Sequence, residues 1–213
     1  MAVLKPDWSQ DKPTGQDAHK MCRQVELAPF AIEAESISQV LNRLRASHSN
    51  GGAFLKAVRI GHSNVFDWFA SRKRLLEYEI LPLLLHRSEI RDLLPELSIQ
   101  ADFVSQNETD ACTFASSSGF KFDNPFLLDG QLAANLFAGG AYSRVAVIDG
   151  KTAKRLAMDF CQAIFGQRYE DVCLYSSYEA WTPWFCGIAW DWTAVLFDKL
   201  TRTLWILAVT DED

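Results

Sequence analysis

From Ile188 onward, apolar residues fill both phases of an alternating pattern. Ile188, Trp190, Trp192, Ala194 and Leu196 fall on one face, and Ala189, Asp191, Thr193, Val195 and Phe197 on the other. After the polar connection Asp198–Arg202 the alternation resumes, with Leu204, Ile206 and Ala208 opposed to Trp205, Leu207 and Val209. Period-two spacing predicts strands, and apolar character on both phases predicts inner strands covered on each side. The connection has hairpin length. Val172–Tyr175 adds a third strand, so at least a three-stranded antiparallel unit is expected.

Upstream the period changes. Ile37, Val40, Leu41 and Leu44 recur at helical spacing within Glu33–Ser47, with Arg43 and Arg45 off the stripe near its end. Asn64–Leu81 carries a broad apolar face from Val65 to Ile80, with Asn64 as its cap and Pro82 as the residue that kinks or ends it. A short helix is expected over Ser88–Leu94, capped by Ser88 and stopped by Pro95, and another over Asp129–Phe137, ended by Gly139-Gly140. Lys151–Phe165 has a wide apolar face that includes Leu156, Met158 and Phe160, and Gly166 stands where a C′ glycine belongs. Ala53–Ile60 reads as a strand with Phe54, Lys56, Val58 and Ile60 on one face, or as the start of another helix; the strand is preferred. Ile99–Val104 and Arg144–Ile148 are further strand signals. The fold class is therefore α+β: an antiparallel sheet whose C-terminal β-hairpin supplies inner strands, with helices packed on it.

The domain organisation follows from the breaks in pattern. Residues 1–20 are polar, with Pro6, Pro13 and Gly15, and read as an N-terminal arm that Trp8 tethers to the body. Residues 21–213 suit a single domain, with a subdomain seam at 98–125 where turn residues cluster. GGAFLKAVRI (51–60) and GGAYSRVAVI (139–148) echo one another, and ten Gly- and Ala-rich positions leave a duplication open.

Charge narrows the partners. The net charge is −6, but residues 1–100 carry 13 basic and 12 acidic side chains, against 8 and 15 in residues 101–213. The acidic half repels nucleic-acid phosphates and anionic lipid, so neither nucleic acid nor membrane is expected; a basic protein suits it better, and solubility alone also explains it. Five dispersed cysteines without CxxC spacing point to a reducing, cytoplasmic setting. The first residues show no signal-peptide pattern, and the longest apolar run, Ile80–Leu85, is far too short to span a membrane.

Catalytic chemistry is hard to find. GxGxxG, GxxxxGK[ST], HExxH and GxSxG are absent, and His19, His48, His62 and His86 pair with nothing at helical spacing. Neither a cofactor nor a metal site is expected. Cys186 with His62 or His86 is a conceivable nucleophile, but a buried inert thiol is the simpler reading. Asp211-Glu212-Asp213 is expected to be solvated, and Arg72-Lys73-Arg74 to be one solvated face of a helix.

What remains is a tryptophan concentration. Trp181, Trp184, Trp190, Trp192 and Trp205 lie in the last forty residues. Trp192 and Trp205 belong to the strands. Tyr178, Trp181, Trp184, Trp190 and Asp191 form the candidate binding set, since indoles are favoured in interface hot spots. Asp191, in an otherwise apolar strand, either caps a loop or pairs with an arginine, or else stands at the rim of an aromatic pocket.

The run Trp184-Phe185-Cys186-Gly187-Ile188-Ala189-Trp190-Asp191, followed by a hairpin closing in Thr210-Asp211, resembles small bacterial cytoplasmic proteins of the toxin-immunity kind. That resemblance implies a non-catalytic α+β protein that binds and blocks a cognate toxin, many such toxins being basic nucleases. Two functional classes follow as expectations. One is a protein-binding protein of this kind. The other is an enzyme or small-molecule binder with a pocket near Trp181, Trp184, Trp190 and Asp191. Oligomeric state is not readable from the sequence.

Overall fold

The computed structural model describes residues 3–99, 118–142 and 148–212. Among them are six strands: β1 (Leu27–Pro29), β2 (Gly52–Ile60), β3 (Lys121–Asp123), β4 (Val172–Ser177), β5 (Trp192–Asp198) and β6 (Thr203–Thr210). They form one antiparallel sheet in the order β1-β2-β6-β5-β4-β3. The helices are α1 (Gly15–Gln24), α2 (Glu35–Ser47), α3 (Asn64–Ser71), α4 (Ile80–Leu85), α5 (Ser88–Leu93), α6 (Leu128–Ala138) and α7 (Gly150–Ile164). This is the expected α+β class, with the C-terminal hairpin β5–β6 inside the sheet.

The double apolar phase of the hairpin finds its reason in two helical layers. Val195, Phe197, Leu204, Ile206 and Ala208 pack with Val58, Ile60 and the helices α1, α3, α4 and α5. Trp192, Ala194, Leu196, Trp205, Leu207 and Val209 pack with Ala53, Ala57 and the helices α2, α6 and α7. Every residue of β4, β5 and β6 is buried. The short outer strands protect the edges, and Pro29 sits on the edge strand β1, where a missing N–H costs no ladder bond.

Helix boundaries follow local chemistry. In α7, Asp149 accepts from the N–H groups of Lys151 and Thr152, and Gly166 follows the helix at φ 61°. Met158, assigned to its apolar face, is instead exposed. The helix expected over Asn64–Leu81 stops at Ser71. Lys73, Tyr78 and Glu79 take positive φ, and the chain folds back so that Leu81 N–H donates to the Leu75 carbonyl at 2.8 Å. Its cap is Ser63, one residue before Asn64. Pro82 ends nothing: it lies in the first turn of α4, where the absent N–H has no helical partner to lose. In α5, Ser88 is the first helical residue and Arg87 the cap. The strand signals at 100–104 and 144–147 fall outside the described residues, as does most of the expected seam.

Within the segment read as an arm, the chain turns helical at Gly15. Thr14 and Asp17 form a capping box, each side chain accepting from the other's backbone N–H at 2.9 and 3.2 Å. The residues before it lie against the body. Leu4 N–H donates to the Lys199 carbonyl, the Trp68 indole N–H donates to the Gln10 carbonyl at 3.0 Å, and Pro13 is buried. The Arg72 guanidinium stacks between Trp8 (4.7 Å) and Trp68 (4.3 Å), so Arg72 is an aromatic contact and not part of a solvated helix face.

Arg202 closes the hairpin from beneath. Its guanidinium donates to the carbonyls of Ile60 (2.9 Å) and Gly61 (2.6 Å) and to the Asp67 carboxylate (2.6 Å). Both charges are buried, and all the partners sit at one end of β2 and α3. The opposite end of the same strands carries the candidate site.

Candidate binding surface

β5 begins at Trp192, four residues later than the alternation suggests. Ile188–Asp191 belongs to a turn in which Asp191 N–H donates to the Ile188 carbonyl at 3.0 Å. Trp190 therefore does not share a strand face with Trp192. The turn has a specific cause. The Asp191 carboxylate, 1% exposed, accepts from the backbone N–H groups of Cys186 (3.3 Å), Gly187 (2.6 Å) and Ile188 (3.3 Å). It also accepts from the Thr210 hydroxyl on β6. Four donors satisfy one buried carboxylate, which fastens the loop to the sheet. Gly187, at φ 74°, supplies the left-handed turn that aims these N–H groups inward. Of the two roles open to Asp191, loop capping describes its geometry.

The loop between β4 and β5 sorts its aromatic residues by depth. Trp181 is 5% exposed, and its indole N–H donates to the Thr193 hydroxyl at 2.8 Å. It packs against Phe120 and Phe185 at centroid distances of 5.7 and 5.8 Å. Trp184 is half-buried, lying on Phe54 (4.8 Å) and Phe185 (5.0 Å). Trp190 is half-exposed, and Tyr178 is 56% exposed. Partial burial, with the charge of Asp123 adding to it, raises the Tyr178 phenol above its ordinary value. Of the five residues singled out by sequence, Trp181 and Asp191 are the loop's foundation. Tyr178, Trp184 and Trp190 reach its surface, together with Pro183, Ile188 and Ala189.

Sequence reasoning missed a second anchor. Asp211, expected in a solvated acidic terminus, is 0% exposed. It accepts from Asn50 N–H at 3.0 Å and Ala141 N–H at 2.7 Å, so the end of β6 gathers two more loops. Space at this junction is tight. A Cβ on Gly51 would collide with the Thr210 carbonyl, and one on Gly140 with the Asp211 carboxylate. Both glycines come from the echoed Gly-Gly-Ala triplets, the one local signal for this junction. His48 sits nearby, with Nδ1 against the Leu44 carbonyl (3.0 Å) and the Ser47 hydroxyl (2.9 Å). Burial holds its imidazole below the ordinary value, against the opposing pull of the Leu44 carbonyl and the Asp211 charge.

Thr210 and Asp211 thus draw three loops to one end of the sheet: 48–52, 139–142 and 178–191. Tyr142, another exposed aromatic residue, lies on the second of them.

The remaining candidates separate. Cys186 is exposed, not buried, and its N–H donates to the Asp191 carboxylate. His62 lies beside Asp67 (3.9 Å) and His86 against the Pro82 carbonyl (2.9 Å). Among the described residues no cluster of His, Cys, Asp and Glu is arranged to hold a metal ion, and no helix is long and apolar enough to cross a membrane. No protein-family model matches the chain, and neither a curated protein nor a solved structure matches it.

Proposed function

We propose that the chain is a non-catalytic binding protein of the toxin-immunity kind, whose 178–190 loop docks a basic protein partner in the cytoplasm. One observation carries the reading: a buried carboxylate with four donors holds a loop rigid while Tyr178, Trp184 and Trp190 face outward. A surface organised before binding spares the partner the cost of ordering it, and Tyr and Trp supply contact area with few rotamers to freeze. The acidic excess of residues 101–213 favours encounter with a basic partner. Free thiols at Cys22, Cys161, Cys173 and Cys186 suit a reducing compartment.

The alternative, a ligand pocket near Trp181, Trp184, Trp190 and Asp191, has less support. A pocket needs polar groups that converge on the ligand. The Asp191 oxygens are engaged by the protein itself, and the Trp181 indole N–H is spent on Thr193.

The test is capture from cells that express the protein naturally, with the full chain and a Tyr178→Ser/Trp190→Ser variant as parallel baits. A basic protein should be retained by the first and lost from the second, and titration of the purified pair should reproduce the difference. Equal retention by both baits, at equal thermal stability, would refute the role given to the loop. A small molecule that binds the chain and is lost in the same variant would favour the alternative.

A further inference from the structure

On the opposite side of the molecule from the arm, α2 and α7 lie against each other and leave a groove of about 570 Å³. It is lined by Gln39, Asn42, Arg43 and Ala46 of α2 and by Thr152, Arg155 and Leu156 of α7. The two arginines are exposed, and neither guanidinium enters an ion pair or a hydrogen bond with any described residue. Arg23 and Arg91 share that lack of partners, but Arg43 and Arg155 stand together at one groove. Arg74, Arg87, Arg168 and Arg202 each hold a carboxylate, and Arg72 is held between indoles.

No carboxylate lines the groove. Two nearby acids are committed within the protein. Asp149 spends its oxygens on Lys151 N–H, Thr152 N–H and the Thr152 hydroxyl, and Glu35 accepts from the Gln39 amide at 3.0 Å. Asp159, one turn along from Arg155, makes no ion pair with it. Two guanidinium groups and the Asn42 amide offer donors beside Ala46, the buried Leu156 and Thr152. Positive charge stands here on a protein of net charge −6.

Shape decides between an ion and a chain. Gln39, Arg43 and Ala46 stand at i, i+4 and i+7, so the α2 wall runs about 10 Å along the helix. An extended peptide advances about 3.3 Å per residue, so about three residues fit that length. Phosphate would fill one end of the groove and leave Ala46 and Leu156 uncovered.

We propose that this groove binds an acidic peptide segment of a partner protein, with carboxylates on Arg43 and Arg155 and an apolar side chain over Ala46 and Leu156. The guanidinium fork matches a carboxylate bidentately, and the contact is exposed, so binding weakens as salt rises. This site is independent of the aromatic loop.

The probe is a fluorescein-labelled peptide Glu-Glu-Leu-Glu-Glu, titrated with the full chain and followed by anisotropy. Arg43→Ala and Arg155→Ala should each weaken binding about tenfold, the scale of one lost charge-assisted contact. Both side chains are exposed, so the thermal midpoints should not move. Lysine at both positions keeps the charge without the fork and should give intermediate affinity. Tyr178→Ser/Trp190→Ser should bind the peptide like the parent chain, which separates this site from the loop. Three results overturn the proposal: unchanged affinity in the alanine variants, equal binding of Gln-Gln-Leu-Gln-Gln, or displacement of the peptide by an equal concentration of inorganic phosphate, which would mark a bare anion site.

Discussion

Replacing Asp191 with alanine removes the acceptor for three backbone N–H groups and the Thr210 hydroxyl. A buried donor left unpaired costs about 1–3 kcal/mol. The four donors do not suffer equally. Cys186 and Gly187 are exposed residues whose N–H groups can turn to water once the carboxylate is gone, whereas Thr210 is buried. Counting Thr210 fully and the others in part gives a loss of about 2–4 kcal/mol. For a chain of this size that lowers the melting temperature by about 5–15 °C. Asp191→Asn keeps the shape and one carbonyl acceptor but turns an NH2 toward donors, so its loss should be smaller. Because the charge and the hydroxyl act on each other, Asp191→Ala and Thr210→Val should be non-additive by about 0.5–3 kcal/mol. Differential scanning calorimetry or urea unfolding followed by tryptophan fluorescence measures the three single variants and the Asp191→Ala/Thr210→Val double variant. If Asp191→Ala melts within about 1 °C of the parent chain, the carboxylate does not hold the loop and the reasoning fails.

Other outcomes follow from the same geometry. Gly140→Ala forces a methyl group into the Asp211 carboxylate and should cost about 1–3 kcal/mol, read as a shift in the urea midpoint at unchanged slope. A thiol reagent at pH 8, with peptide mapping, should modify Cys186 quickly. It should spare Cys22, Cys161 and Cys173, because all three are buried and burial pushes the first two thiols up to about 12. His48 and His86 are held below 6.5 chiefly by burial, so the unfolded chain takes up their protons first. Their contribution is present above the unfolded value and is lost as pH falls from about 6.5 toward the folded values. Unfolding free energy measured from pH 7.5 to 5 should drop less steeply in His48→Gln.

The parts of the fold legible in the sequence are those governed by period. Alternation assigned Leu204, Ile206 and Ala208 to one side of the sheet and Trp205, Leu207 and Val209 to the other, and the two helical layers confirm it. Period does not register backbone sign. Leu75, Leu76 and Ile80 continue a helical stripe through a stretch where Lys73, Tyr78 and Glu79 have positive φ, so a broken segment reads as one helix. It also continued through Ile188 and Trp190, although Asp191 had already bent the chain. The Thr14–Asp17 capping box was readable, but Pro13 and Gly15 drew the reading toward coil. The second anchor was not readable at all. Asp211 meets Asn50 across 161 positions and Ala141 across 70, and nothing local to a terminal acid announces such partners. In the candidate loop the concentration of aromatic residues is legible; the division between Trp181 and Asp191 beneath and Tyr178 and Trp190 above is not, because depth depends on the strands that the loop covers.

The central claim is that Asp191 and Asp211 pre-organise the loops at one end of the sheet, and hydrogen exchange at single-amide resolution tests it most directly. Gly187 and Ala141 N–H, which donate to these carboxylates, should exchange about a hundredfold more slowly than in an unstructured peptide, an opening free energy of about 2.8 kcal/mol. Asp191→Ala should release Gly187 while leaving Ala141 protected. Exchange of both amides at unstructured rates in the parent chain would contradict the claim and remove the rigid surface on which the proposed function rests.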